Sequence, residues 1–531
     1  MKKRTIFALG ALSTLAAGTV IAKKTTPEQR NRFSYDHADK DIRAVLRGIC
    51  AILPERKWQL EEDYVPENFF AGHSEFLGKP AKKAKWKLGY ACEDLTPSDY
   101  KTHNYYIAGY LNYPPNVMES VTDGQWVRVI CLDDGTSRGA AVFATIDCVG
   151  ISNTDIRRVR ARLSDFAKKN NIAAINISAT HCHSAIDTQG LWGDIIPGGL
   201  KNNVKAIKAG RDEDIVSGRD PVFMESLYEK AARAITDAFN SMKKGELYCA
   251  VTDDLEYMRD KRPPYVVEKD LTSLHFIPDD GSNETYAVFM AAHPVCLGAK
   301  NRSLSSDYPY YIVDEFNRNG KNGIFFQGAQ LAVATKRDGI SPEGFEGESY
   351  QGYGRGIAQF VLGLGGTGRE KKVPALLNIR LSETLVPEKN EVLMLAAKLG
   401  FVNNKVLRTG RTDMEAEFVT EVGYAQIGDS LRVALVPGEL APELAYGGAY
   451  MREESYHHTD WKLPPMQSMV KDGTKLVIIG LANDSVGYIL PANDYGSVIA
   501  PLHYEEAVSS GPDAGEVIVK AFSQLVDETS R

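Results

Sequence analysis

His181 and His183 stand two apart in ATHCHS (179–184), directly after the strand-like run AAINIS at 173–178. Alternating side chains on an extended segment put positions i and i+2 on one face, so both imidazoles are expected to reach the same site. Imidazole is a common metal ligand and the side chain best suited to proton transfer near neutral pH. Three further stretches place polar residues at the end of an apolar strand: MAAHPVCLGAKNRSLSSDYP (290–309), LVPGELAPE (435–443) and LANDSVGYILPANDYGSVIAPLHYEEA (481–507). Strand ends at loops are where α/β enzymes collect catalytic groups. Taken singly, each residue also fits a structural role. The histidine pair fits a solvated loop, and His293 before a proline fits a core histidine at a strand end. Glu439 fits a carboxylate favoured at the start of the following helix, and Tyr488 and Tyr504 fit amphipathic packing.

The elements that must position these residues follow from apolar patterning. Strands are expected at WVRVICL (126–132), GAAVFATIDC (139–148), AAINIS (173–178), TYAVFMAA (285–292), LRVALV (431–436) and KLVIIGL (475–481), where β-branched and apolar residues run together. Helical spacing of Ile156, Val159, Leu163 and Phe166 predicts a helix over 153–169, capped by Ser152 or Asn153. Asp220 and Pro221 open a second helix over 221–243, and a last helix covers 514–526. Intermixed strands and helices define an α/β (α+β) class, with mixed sheets flanked by helices in one large catalytic domain spanning 86–531. Residues 23–85 read as a polar N-terminal extension with one helical patch, DKDIRAVLRGICAIL (39–53).

Two motif matches fail on context. GLGGTG (363–368) follows a helix-like run, whereas a dinucleotide-binding glycine loop follows a strand and opens a helix. GTSRG (135–139) lies between two strand runs, where a hairpin turn is expected in place of a nucleophile elbow around Ser137.

A net charge of −7 gives no electrostatic case for nucleic acid. Lys2, Lys3 and Arg4 precede the apolar run IFALGALSTLAAGTVIA (6–22), the pattern of a secretory signal peptide. Its length is also close to the roughly 17–25 residues that span a bilayer, so an uncleaved anchor is the alternative. The protein is therefore expected to be exported, periplasmic or secreted, with membrane association only through this segment. Seven cysteines without a CxxC pair argue against a structural zinc ribbon, and Cys182 and Cys296 read as small buried fillers.

Taken together and in order, the four stretches resemble the neutral/alkaline ceramidase family of zinc-dependent amidohydrolases. The carriers are Thr180-His181-Cys182-His183-Ser184, His293-Pro294 followed by Ser305-Ser306-Asp307, Pro437-Gly438-Glu439, and Tyr488 with Tyr504 beside Glu505. GYACEDLTP (89–97) and AGY (108–110) match the family's opening elements. The resemblance implies a Zn²⁺ site formed by His181, His293, Glu439 and Tyr488. It implies a metal-activated water that attacks the carbonyl of a small-molecule or lipid N-acyl amide. His183 would transfer protons. Tyr504 and Arg262, the latter in KRPPY, would support the oxyanion or substrate, with Arg259 a rival for that role.

The sequence departs from the family in three places. The turn after His183 reads SAIDTQGLWG, and QLAVATKR (330–337) lacks the family's Gly-Asp and has Thr335 in place of its serine. No room is expected after Tyr504 for the immunoglobulin-like C-terminal domain of the ceramidases. Two alternatives therefore stand beside the hydrolase: a metal-retaining binding protein or pseudoenzyme of the same fold, and a serine hydrolase acting through Ser137.

Overall fold

Valine, isoleucine and leucine run almost without interruption through the strands because the sheets are covered on both faces. In Trp126–Asp133, Val127, Val129 and Cys131 join one buried cluster, while Ile130 and Leu132 join another on the opposite face. The same division separates Val142, Ala144 and Ile146 from Ala141 and Phe143 in Ala140–Ile146. Period-2 alternation with both faces buried produces the continuous apolar runs.

The computed structural model describes residues 32–195, 198–337, 349–448, 451–470 and 473–529. The expected leader at 1–22 lies outside these residues. Among them, no helix is long and apolar enough to cross a membrane.

The larger sheet runs in the order Asn322–Gln327, Thr285–Met290, Leu271–Pro278, Lys243–Thr252, Trp86–Asp94, Trp126–Asp133, Ala140–Ile146, Ile172–Ala179. Its first and last pairs are parallel, and every pair between them is antiparallel. The second sheet is ordered Gln59–Leu60, Val406–Arg408, Ala416–Ile427, Leu431–Leu435, Lys475–Ile479, with Leu377–Pro387 also paired to Ala416–Ile427. The two sheets face each other across a core that includes Leu88, Ile130, Phe143, Leu377, Val433 and Ile479. Pro221–Asn240 and Asn153–Arg162 cover the outer face of the first sheet, and Ala514–Thr529 covers the second. The fold is a mixed α/β architecture of the expected class.

Local sequence explains the element ends. Ser152 caps Asn153–Arg162 by accepting from Asp155 N, and Asp220 caps Pro221–Asn240 by accepting from Phe223 N. The single helix expected over 153–169 is two pieces, Asn153–Arg162 and Ser164–Lys169, divided at Leu163. Apolar spacing continues across that break, so periodicity alone does not mark it. Residues 135–139 form the turn of an antiparallel hairpin, with Ser137 exposed at its tip and a strand following it. The geometry lacks the strand-to-helix elbow that a serine nucleophile requires, and the Ser137 alternative falls. Gly363 ends the helix Tyr350–Leu362, and the strand Lys371–Val373 follows, so GLGGTG is a helix stop and linker.

The Arg32–Ile52 helix packs on the body through Leu46 and Cys50, beside Met394, Leu395 and Phe418. Arg43 donates to Glu391 at 3.0 Å. All seven cysteines are free, and Cys182 is fully buried.

Candidate metal centre

Four loops from both sheets converge on one buried point. His181 and His183 follow the strand Ile172–Ala179, and His293 follows Thr285–Met290. Glu439 and Tyr488 lie directly opposite each other in the short parallel pair Glu439–Leu440 and Tyr488–Ile489, beyond the ends of two strands of the second sheet. Gln327 ties the two histidine loops together, its Nε2 donating to Thr180 O at 3.2 Å and Ala292 O at 2.8 Å. Gly480 N donates to Gln327 O at 2.8 Å and brings the second sheet to the same place. Glycine is required at Gly438, where a Cβ would lie 2.4 Å from Gly487 O.

The expected route to the histidine pair is corrected in one respect. The strand ends at Ala179, and His181 has a left-handed backbone with φ of 65°. A turn, and not strand alternation, therefore brings the rings together. Their Nε2 atoms are nonetheless 3.0 Å apart. Such a backbone in a bulky residue costs energy and is concentrated at functional sites.

His181 Nε2 lies 3.1 Å and His293 Nε2 2.9 Å from the same carboxylate oxygen, Oε2 of Glu439. The other ring nitrogens are committed to backbone carbonyls: His181 Nδ1 to Val149 O at 2.7 Å, and His293 Nδ1 to Val333 O at 2.9 Å. Each Nδ1 must carry the proton to donate, which leaves each Nε2 lone pair turned toward Glu439. His293 Nε2, although buried, makes no hydrogen bond despite its closeness to the carboxylate. Buried acceptors facing an anion without a proton between them fit a cation. The ligand atoms of His181, His183 and His293 lie within 4.8 Å of one another. His181 and His293, with Glu439 between them, fit a metal ion in ligand type and tautomer.

A positive charge suits this point: burial alone would raise the Glu439 carboxyl, and protonated His181 and His293 would hold it far below the usual carboxylate range, the part a cation plays when both Nε2 atoms carry lone pairs. Burial, then the neighbouring His181 and His293, holds His183 well below the ordinary histidine value, so it is neutral at pH 7. Burial, then the Glu439 charge, pushes the Tyr488 phenol well above its usual value. Tyr488 meets Tyr504 edge-on with ring centroids 6.2 Å apart, and Tyr504 is half exposed at the rim. Tyr110 packs edge-on against His183 at 5.3 Å. Gly109 behind it has φ of 108°, and a Cβ there would lie 2.5 Å from the His183 ring.

Arg262 is placed differently from the expectation of an open oxyanion donor. Its Nη1 donates to Glu505 at 3.0 Å, its Nη2 to Asp494 at 2.8 Å and Glu506 at 2.9 Å, and its Nε to Asp494 at 3.3 Å. Every guanidinium nitrogen is engaged, so its contact with the site runs through the segment carrying Tyr504. Arg259 is exposed and pairs through its backbone with Ala334. Asp307, in the SSD motif, is buried and accepts from Cys296 N at 2.8 Å, fixing the loop after His293. Gln330, whose Nε2 is 3.5 Å from Glu439 Oε2, carries no sequence signal and was found only by structure.

The fold, two facing mixed sheets, is similar to that of solved neutral ceramidases. Among solved structures, the neutral ceramidase from Pseudomonas aeruginosa superposes with a TM-score of 0.60 at 16% identity, over 84% of this chain and 74% of that one. A ceramidase complexed with C2 gives a TM-score of 0.61 at 15% identity, over 84% and 75%. No protein-family model matches the chain. No curated protein sequence matches it either. At these identities the likeness establishes the fold, and substrate and activity rest on the site.

Proposed function

We propose that the chain is an exported zinc-dependent hydrolase of N-acyl amides, with His181, His293, Glu439 and Tyr488 as metal ligands. The observation that carries this reading is the pair of imidazole Nε2 atoms, each within 3.1 Å of one Glu439 oxygen, with both tautomers set by backbone carbonyls. Export rests on the basic-flanked apolar run at 6–22. When bound, zinc supplies Lewis acidity toward the amide carbonyl and lowers the pKa of its water toward ~7. His183, neutral and beside His181, takes a proton at Nε2 from the attacking water as the C–O bond forms and returns it to the leaving amine as the C–N bond breaks. Tyr504 at the rim donates to the carbonyl oxygen as negative charge develops there. Arg262 positions Tyr504 by clamping Glu505 and Glu506.

The test is hydrolysis of a panel of N-acyl amides by zinc-loaded and chelator-stripped protein. Turnover that disappears on stripping and returns with zinc is expected. Zinc binding without turnover of any amide would instead support the metal-retaining binding protein, for which the absent Gly-Asp before Thr335 speaks. His183→Gln is expected to keep its zinc while hydrolysis falls by about 10²–10⁴-fold. Loss of zinc from that variant, measured by metal analysis, would make His183 a third imidazole ligand, as its 3.0 Å approach to His181 also allows.

A further inference from the structure

Beside the metal centre lies a cavity of about 170 Å³ whose lining includes Arg259, Lys261 and Lys336, with no acidic side chain among the described residues that line it. Both of its walls are continuous with the site. One is Val295–Cys296, which follows His293 and Pro294, and Pro294 O accepts from His183 N at 3.1 Å. The other is the strand Val333–Thr335, where Ala334 bridges His293 on one side and pairs with Arg259 on the other. Two strand spacings therefore separate the Arg259 and His293 backbones, about 10 Å. That distance is spanned by a few bonds of substrate and one arginine side chain.

The cations are crowded at a cost. Burial, then the charge of Arg259, lowers the Lys261 ammonium from its usual value. Burial pushes the Cys296 thiol upward, so it stays neutral and brings no anion to the cavity. Lys336 is paired with Glu256, whose carboxylate is mostly exposed. Like charges lining a concave surface concentrate field and attract an anion of matching size, and about 170 Å³ accommodates a carboxylate or sulfonate with its linking atoms.

We propose that this cavity receives an anionic group on the amine half of the substrate, so that the preferred substrates are N-acyl amides of amino acids or aminosulfonates. Hydrolysis of such amides rests on the function proposed above, but the charge preference in binding does not. The acyl carbon lies over the metal centre, and the acid reaches Arg259 and Lys261.

The experiment compares N-octanoylglycine and N-octanoyltaurine with the uncharged N-octanoylethanolamine, by calorimetric binding and by hydrolysis. It uses the zinc-loaded protein, the Arg259→Gln/Lys261→Gln variant, and a Lys79→Gln/Lys82→Gln control at exposed positions remote from the cavity. Binding and kcat/KM favouring the anionic amides at least tenfold are expected. The Arg259/Lys261 variant should lose that preference through KM, and the control should keep it. Equal binding of charged and neutral amides, no binding of any of them, or a preference that survives in the Arg259/Lys261 variant would overturn the proposal. Charge-selective binding without hydrolysis would uphold the cavity and remove the hydrolase reading. Hydrolysis without charge selectivity would do the reverse.

Discussion

Glu439→Ala is expected to lose its metal and its hydrolytic activity together, while the protein stays folded. Its Oε2 is the atom that both His181 and His293 approach, at 3.1 and 2.9 Å, and the group of His181, His183 and His293 itself contains no carboxylate to replace it. Loss of an outer-shell partner costs about 10–100-fold in metal affinity or activity, and loss of a direct ligand should exceed that. Glu439→Gln separates charge from shape. It keeps the side-chain volume but cannot offset the metal's charge, so activity should be nearly as low as in the alanine variant. Metal analysis of both variants, with circular dichroism to confirm folding, makes the measurement. Retained zinc and near-normal turnover in Glu439→Ala would place the ligand set elsewhere.

Arg262→Met is expected to be among the most destabilising single changes in the chain, and its effect should depend on pH. Arg262 is buried against Asp494, Glu505 and Glu506, all buried themselves. Removing one partner of a buried ion pair costs about 3–5 kcal/mol, because the remaining charge is left uncompensated. Burial already pushes the Glu505 carboxyl up to about 7 even with Arg262 present. For Glu506, burial acts upward but Arg262 and His503 hold it below its ordinary value. Without Arg262 the folded-state values of these carboxyls rise above their unfolded ones. A carboxyl raised in this way loses stability as pH climbs above the unfolded pKa, because the unfolded chain ionises first. The variant's deficit should therefore be largest at pH 8 and shrink as the pH falls through 7 toward 5. Urea unfolding at pH 5.5 and 8 tests this, and an equal deficit at both values would contradict the account. Activity should fall as well, since Tyr504 immediately precedes the clamped glutamates.

How much of this was legible in the sequence varies with how locally each feature is determined. Asp220 and Pro221 announce Pro221–Asn240 because capping and the first helical turn are decided within a few residues. Trp126–Asp133 is legible because both of its faces are apolar. Ala416–Ile427, the centre of the second sheet, escapes the same reading. Its run is interrupted by Glu421, a buried carboxylate held by Arg160 at 2.8 and 2.9 Å from a helix 261 positions away. A charge looks solvated in sequence until its partner is known.

The same applies at the site. His181, His293, Glu439 and Tyr488 carry recognisable motifs, and the structure brings the two histidines and the glutamate within contact while setting Tyr488 beside Glu439 in register. Arg262 reads from its family-like KRPPY segment as support for the oxyanion or substrate, and the sequence hides its ion pairs because Asp494, Glu505 and Glu506 are more than 230 positions away. The cationic cavity depends on Met258–Asp260 pairing with Val333–Thr335, and three-residue strands leave no periodicity to detect.

The most direct measurement is metal content of the purified protein combined with anomalous scattering from its crystals at the zinc edge. About one zinc per chain is expected, with a single anomalous peak within about 2.0–2.2 Å of His181 Nε2, His293 Nε2 and a Glu439 oxygen. A metal-free protein that takes up no zinc from excess, or a peak away from these three residues, would contradict the account.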